Sequence, residues 1–319
     1  MNISVLGCGR WASFLAWYSD ELDHNVLIWG RESSKNLMRL KESRSNDYLS
    51  LGETVSLTSS LEEAVNHSDY MIVSVSSQHL RDLCGNLKAY DLRGKTLILA
   101  MKGIEVTTGK RLSQVVKEVL GDSVQVAVWV GPGHVQAFTQ GIPNCMIISS
   151  ENYRTTKDVI RLFNSELIRL YIGEDLVGNE IGAAAKNVIG IAAGMLDGVG
   201  YSALKGSLIA RGSREVSRLI KAMGGNELTA YGLCHIGDYE ATLFSPYSNN
   251  RRFGERFIKG EAFDKLAEGV STTESLIKLS EIYHVDMPIT RAIHAVIVEK
   301  ADPSQALKNL FMREVKHEF

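Results

Sequence analysis

Short apolar runs and amphipathic stretches take turns through the first half of the chain. "ISVLG" is a strand pattern next to the N-terminus, followed by helix-like "WASFLAWYSDEL". "NVLIWG" reads as strand, "SLEEAV" as a short helix and "DYMIVSVS" as strand. Helical "QHLRDLCGNL", strand "KTLILAMKG", helical "GKRLSQVVKEVLG" and strand "VQVAVWVG" continue the alternation. Two further strand patterns, "NCMIISS" and "IRLYIG", enclose the helix "TTKDVIRLFNSEL". Such alternation predicts βαβ units, and hence an α/β, doubly wound, Rossmann-like and mainly parallel sheet over residues 1–175.

After Gly173 the apolar positions recur at helical spacing and β-type runs almost vanish. The pattern predicts helices over Leu176–Leu196, Ser202–Met223, Asn226–Cys234, Arg252–Lys259, Thr273–Tyr283 and Pro288–Glu299, with a last one from Ser304. Residues 176–319 are therefore expected to form an all-α domain for substrate binding and catalysis. Lys41–Asp47 reads as a solvated loop or a helix end.

Composition narrows the function classes. The 319 residues are 45% apolar and 23% charged, with a net charge of −2, the balance of a globular protein of two ordinary domains. No basic excess points to nucleic acid or an acidic membrane surface. The most apolar segment, Ile181–Leu196, is short for a span and carries Lys186 and Asn187, so it reads as a buried helix. The four cysteines lack metal-site spacing, and the N-terminus opens directly in a strand pattern. No metal, no disulfide framework and a cytoplasmic location are the expectations.

"VLGCGRWASFLA" holds G-x-G-x-x-A at Gly7, Gly9 and Ala12, after a strand and opening a helix. In that context Gly7 allows a tight turn, Gly9 lets backbone approach a pyrophosphate, and the helix N-terminus faces the phosphates. A plain glycine turn is the bland alternative. The second strand ends in Gly30-Arg31, where an arginine suits a ribose 2′-phosphate. NADP(H) is expected, with NAD(H) tolerated, because Glu32 next door can take the acidic role. An exposed turn arginine is the other reading of Arg31.

The helix "EIGAAAKNVIGIAAGMLDG" sets one lysine among very small side chains. On helical spacing Asn179, Ala183, Lys186, Asn187, Gly190 and Gly194 share a face. A partly desolvated ammonium there has its pKa drawn toward the range useful for proton transfer, so Lys186 can protonate the alkoxide formed by hydride addition to a ketone. A snorkelling surface lysine is the alternative. Lys102 stands just past a strand's carboxyl end, where open sheets bind ligands, and it reads equally as an ordinary turn lysine. Between Asp238 and Arg252 a cluster of Ser, Asn and Arg side chains suits a phosphate monoester, or else caps the following helix. Asp238 can hold Lys186 or accept a substrate hydroxyl.

Taken together, "GCGRWASFLA", "AMKGIE", "GPGHV", "EIGAAAKNVIGIAAGMLDG", "ARGSRE", "SNNRRFGE" and "AEGVSTTESL…VDMPIT" resemble the bacterial-type NAD(P)-dependent glycerol-3-phosphate dehydrogenases over nearly the whole chain. The resemblance implies reduction of dihydroxyacetone phosphate to sn-glycerol 3-phosphate for phospholipid synthesis. It implies Lys186 as proton donor and acceptor, with Lys102 and Asp238 completing the catalytic set. Lys102, Gly131, Gly133, Asp238, Ser248, Asn249 and Asn250 fall at substrate positions. Gly7, Gly9, Arg10, Trp11, Arg31, Lys102, Val135, Asn249, Leu266 and Glu268 fall at cofactor positions. A homodimer is expected by analogy.

Four positions depart from the family pattern. Arg10 replaces a serine and Ala12 a glycine; Gly133 replaces a substrate-binding serine, and Asn249 replaces an arginine expected on the substrate phosphate and cofactor. A lost charge-assisted contact costs about 1.5–3 kcal/mol. Arg251, Arg252 and Arg10 are the arginines available to compensate. Gly133 and Asn249 motivate a second function, a paralogous dehydrogenase acting on a different hydroxy compound; a third, from another class, is a non-catalytic dinucleotide sensor. Retention of both lysines and Asp238 argues against the sensor.

Overall fold

The computed structural model describes residues 1–315, 317 and 318. The chain divides into two compact units, residues 1–102 with 110–176, and residues 103–109 with 177–319. Sequence reading counts 103–109 with the first half. The structure packs them in the second, where Ser275 donates to the Ile104 carbonyl at 3.2 Å and Lys278 donates to the Val106 and Thr107 carbonyls.

In the first unit the described order is β1 (Asn2–Leu6), α1 (Arg10–Glu21), β2 (Asn25–Trp29), α2 (Lys35–Ser43), β3 (Ser56–Thr58), α3 (Leu61–His67), β4 (Tyr70–Val73), α4 (Leu80–Leu87), β5 (Thr96–Leu99), α5 (Leu112–Leu120), β6 (Gln125–Val130), α6 (Val135–Phe138), β7 (Asn144–Ser149), α7 (Tyr153–Phe163) and β8 (Ile168–Gly173). Among the described residues the strands form one eight-stranded sheet ordered β3-β2-β1-β4-β5-β6-β7-β8. Every neighbouring pair is parallel except β6 and β7. A parallel crossover normally carries a helix across the sheet face. The β6–β7 connection holds only the four-residue α6, so the chain turns back antiparallel.

The strand order reverses at β1, which pairs with β2 on one side and β4 on the other, Leu6 lying opposite both Trp29 and Val73. Ligands of open α/β sheets bind outside the carboxyl ends of strands at such a reversal. Central strands are buried on both faces, as the unbroken run Ile3–Leu6 shows. Phe14, Tyr18, Trp129, Phe138 and Phe163 fill the core beside them. Sequence reading missed β3, three residues at the sheet edge, and α2, which buries only Leu37 and Leu40. Lys41–Asp47 is the end of α2 and the turn after it, where Arg44 adopts φ 52°.

The second unit opens with α8 (Leu176–Gly198) and continues through α9 (Lys205–Ala222), α10 (Asn249–Ile258), α11 (Glu268–Ile282), α12 (Pro288–Ile297) and α13 (Pro303–Phe311). The expected helix Asn226–Cys234 is only a 3₁₀ turn, Glu227–Tyr231, capped by Asn226. Then come a 3₁₀ turn, Ile236–Asp238, and a π-helical turn, Glu240–Phe244. α10 starts three residues earlier than its periodicity suggests, because Ser248 caps it by accepting from Arg251 N at 3.3 Å. α11 likewise starts at Glu268 rather than Thr273.

Helix α8 is buried from Gly178 to Leu196. Residues four apart form a ridge on a helix. On α8 one such ridge reads Gly178, Gly182, Lys186, Gly190, Gly194, Gly198. The segment 234–258 lies along it. A methyl group at Gly182 would sit 2.9 Å from Cys234 Sγ, at Gly190 2.7 Å from Thr242 Cγ2, and at Gly198 2.8 Å from Ile258 Cβ. At Gly194 it would overlap the Arg251 carbonyl, and Gly254 of α10 returns the fit against the Ile191 carbonyl. Overpacking of this kind costs about 1–3 kcal/mol. Gly194→Ala is therefore expected to lower unfolding free energy in urea by at least about 1 kcal/mol. Gly206→Ala, on α9 with nothing within 4 Å of the added carbon, is expected to be neutral or stabilising by about 0.4–1 kcal/mol.

Candidate active site

The dinucleotide residues of the first unit gather along the carboxyl ends of its strands. Gly7 follows β1 at φ +129°, and a side chain there would overlap the Ser74 carbonyl. Gly9 caps α1 without a side-chain bond, and the space where its Cβ would stand is open for 4 Å. An uncapped helix N-terminus with room above it fits a pyrophosphate. Arg31, past β2, is exposed. Lys102, past β5, donates from Nζ to the Gly131 carbonyl at 2.8 Å, which ties it to the loop after β6.

Arg10, the first residue of α1, and Gly133, in the loop after β6, are two of the positions that depart from the expected pattern. The Arg10 guanidinium lies 4.9 Å from the Tyr48 ring centre, and its Nη2 is 3.4 Å from His134 Nδ1. Trp11 is half-buried against Phe14, with ring centres 4.9 Å apart, and Phe14 stacks on Phe138 at the same distance. Gly133 has φ +150°, and a Cβ on it would stand 2.6 Å from Phe138 Cζ. The Phe138 ring thus occupies the volume a serine needs. Val135 opens α6 fully buried in the same core.

In the second unit Lys186 is buried, 7% exposed, so the snorkelling alternative fails. Its Nζ lies 2.6 Å from Asp238 Oδ2 and donates to Thr242 Oγ1 at 2.7 Å. Thr242 in turn donates to the Asp238 carbonyl at 2.6 Å. A buried ammonium needs such a partner, since an unpaired charge in a low-dielectric interior is costly. The π-helical turn carries Thr242 toward Lys186, and the 3₁₀ turn before it carries Asp238.

Beneath this pair lies a second buried network. His235 is fully buried; its Nδ1 lies 2.8 Å from the Gly182 carbonyl and its Nε2 2.6 Å from the Tyr239 hydroxyl. The carbonyl can only accept, so Nδ1 carries the proton and Nε2 accepts from Tyr239. Burial drives the His235 pKa from 6.5 down to about 4; the Gly182 bond opposes this and the charge of Lys186 adds to it. Burial also raises the Tyr239 phenol.

The Ser-Asn-Arg cluster is partly structural. Ser248 caps α10, and Asn249 donates to the Leu266 carbonyl at 3.1 Å. Asn250 accepts from Gly269 N at 2.9 Å and donates to Asn187 Oδ1 at 3.0 Å, pinning α10 to α8 and α11. Leu266 is exposed and Glu268 opens α11. Arg251 is committed elsewhere: its Nε lies 2.7 Å from Asp197 Oδ2, which also binds Lys205 at 2.8 Å. Burial raises the Asp197 pKa, but bonds from Lys205 and Ser202 and the charge of Arg251 outweigh it and leave the carboxyl below its usual range. Arg251 is thus not available to replace the arginine missing at Asn249. Arg252 lies 5.9 Å from the Phe263 ring.

The whole chain has matches among characterised families. Residues 2–156 match the N-terminal model, and residues 175–308 the C-terminal model, of NAD-dependent glycerol-3-phosphate dehydrogenase. The chain belongs to that family. A glycerol-3-phosphate dehydrogenase [NAD(P)+] of Pelodictyon phaeoclathratiforme is 36% identical, covering 100% of this chain and 99% of its own. One from Thermoanaerobacter sp. is 35% identical with the same coverage. The crystal structure of glycerol-3-phosphate dehydrogenase from Coxiella burnetii superposes with a TM-score of 0.90 at 27% identity, over 98% of this chain and 99% of that one. Family membership at full length supports a dehydrogenase that uses a nicotinamide dinucleotide over the sensor and paralogue readings. Among the described residues no helix is long and apolar enough to cross a membrane.

Sequence reading placed Asn187 on the Lys186 face of α8 and missed Thr242, His235 and Tyr239. The turns around these three carry no helical or strand period. The four-residue glycine spacing of α8 is a readable signal for the segment that brings them in.

Two outcomes test this geometry. Gly133→Ser alone is expected to cost about 1–3 kcal/mol. Paired with Phe138→Leu, it should cost less than the sum of the single changes, giving a coupling of about 1 kcal/mol or more in a double-mutant cycle. The second concerns pH. Because the folded pKa of His235 lies below its unfolded value, its contribution is complete above about pH 6.5 and is lost as pH falls through about 4. The stability gap between wild type and His235→Asn should shrink by about 3 kcal/mol over that window, measured by urea titrations at each pH.

Proposed function

We propose that this chain reduces dihydroxyacetone phosphate to sn-glycerol 3-phosphate, reversibly, with Lys186 as the proton donor. The observation that carries the reading is the buried Lys186–Asp238–Thr242 group, in a chain whose first unit ends its strands in an open glycine turn and an uncapped helix. A reduced nicotinamide, when bound, supplies the hydride. Lys186 then gives a proton from Nζ to the developing alkoxide oxygen and becomes a neutral amine, and in the reverse direction it takes that proton back. The Asp238 carboxylate balances the ammonium charge before transfer. Thr242 fixes the direction of Nζ. Lys102, tied to Gly131, is the proposed anion contact of the first unit.

The finer assignments belong to the same proposal. Arg31 at the end of β2 supports a preference for NADP(H), with NAD(H) tolerated. The four cysteines are free thiols, which supports a cytoplasmic location. The product carries a glycerol backbone already phosphorylated, which suits supply to glycerophospholipid synthesis. Exposed Phe311, Met312 and Val315 beside α13 support a homodimer.

The test is oxidation of NADPH and NADH with dihydroxyacetone phosphate, beside a panel of other ketones and aldehydes. Turnover of dihydroxyacetone phosphate is expected; turnover of panel compounds alone overturns the substrate assignment. Lys186→Met is expected to lower kcat by about 10²–10⁴-fold with cofactor affinity nearly unchanged. Arg31→Ala should weaken NADPH by about 10–100-fold and NADH far less, read from binding titrations. Equal losses contradict the 2′-phosphate role.

A further inference from the structure

Asp238 does its work from an irregular place. It ends a 3₁₀ turn, Ile236–Asp238, and is followed closely by a π-helical turn, Glu240–Phe244. A 3₁₀ turn makes poorer backbone hydrogen bonds than an α-helix, and a π turn is a rare local form. Something else must hold the carboxylate 2.6 Å from Lys186 Nζ.

His235 and Tyr239 flank that turn and are joined through it, imidazole Nε2 to hydroxyl at 2.6 Å. On one side His235 Nδ1 donates to the Gly182 carbonyl of α8, one helical turn before Lys186. On the other, Ser213 of α9 donates to the Tyr239 hydroxyl at 3.4 Å. The close approach depends on Gly182, where a methyl would meet Cys234 Sγ at 2.9 Å and His235 Cβ at 3.2 Å. One imidazole therefore ties the turn bearing Asp238 to the helix bearing Lys186, at the neighbouring position of the glycine ridge. Lys186, Asp238 and Tyr239 are the polar groups around it, with Cys234 and Glu215 acting on Tyr239.

We propose that His235, clamped by Tyr239, is a positioning residue that sets the distance and direction of Asp238 relative to Lys186. Fully buried, it acts through Asp238. The proposal rests on the reading of Lys186 as proton donor. Misplacing a catalytic group by about 1 Å costs on the order of 10²-fold in rate.

The experiment compares His235→Leu, His235→Asn, Tyr239→Phe and Lys186→Met with wild type. Each variant's kcat, KM, NADPH affinity and primary deuterium isotope effect with 4-deuterated NADPH are measured, after its melting curve shows that it is folded. His235→Leu keeps bulk without the bond; kcat should fall by about 30–100-fold with NADPH affinity within about two-fold, and the isotope effect should rise as chemistry becomes limiting. The asparagine amide can replace Nδ1–H toward Gly182, so His235→Asn should restore kcat to within about five-fold of wild type. Tyr239→Phe should give an intermediate loss, about 5–10-fold, and serves as the deciding variant where His235→Leu does not fold. A folded His235→Leu at wild-type kcat overturns the proposal. So does His235→Asn as slow as His235→Leu, or, with His235→Leu unfolded, Tyr239→Phe at wild-type kcat. Wild-type turnover by Lys186→Met sinks the Lys186 reading itself, a result separable from the other three.

Discussion

The buried charge pair of the second unit depends on one close approach, between the backbone of residues 234–258 and the face of α8 made of glycines four apart. Without side chains on that ridge, two stretches of main chain come near enough for side chains on one to reach carbonyls on the other. Lys186 is the single interruption in the series Gly178 to Gly198. A long side chain fits there because the passing segment offers it Asp238 and Thr242 instead of bulk. The fold and the chemistry are thus one constraint. The glycines that let the segment dock also deliver the carboxylate to the ammonium.

The first unit works by different physics. Its sheet is buried on both faces, its strands are short, and the groups that matter are main-chain ones at strand ends and at the start of α1. Here the fold contributes room and dipoles. The aromatic stack of Trp11, Phe14 and Phe138 stiffens two loops at once, since Trp11 and Phe14 belong to the helix after the glycine turn and Phe138 to the one after Gly133. The second unit contributes charge, buried and paired.

Much of this is legible in the amino-acid sequence. Strands such as Asn2–Leu6 and Gln125–Val130 announce themselves as β-branched runs, and α8 as a long apolar stretch. Lys186 stood out as one cation among alanines and glycines, and Asp238 as a partner for it. What stayed hidden has physical reasons. β3 and α6 span three and four residues, too few to show a period. Thr242 and His235 sit in turns whose conformation is set by contact with α8, some fifty residues away in the chain. Composition alone makes Arg251 a candidate phosphate ligand; its pairing with Asp197 depends on α8 meeting α10, which no local pattern encodes.

The filled space beside Gly133 ties two positions together. A side chain at 133 competes with the Phe138 ring for one volume, on a backbone already held at φ +150°. Any residue larger than glycine there presses on an aromatic that is itself stacked on Phe14. Changes at 133 and 138 therefore have no fixed value of their own, because the state of one position decides what the other tolerates.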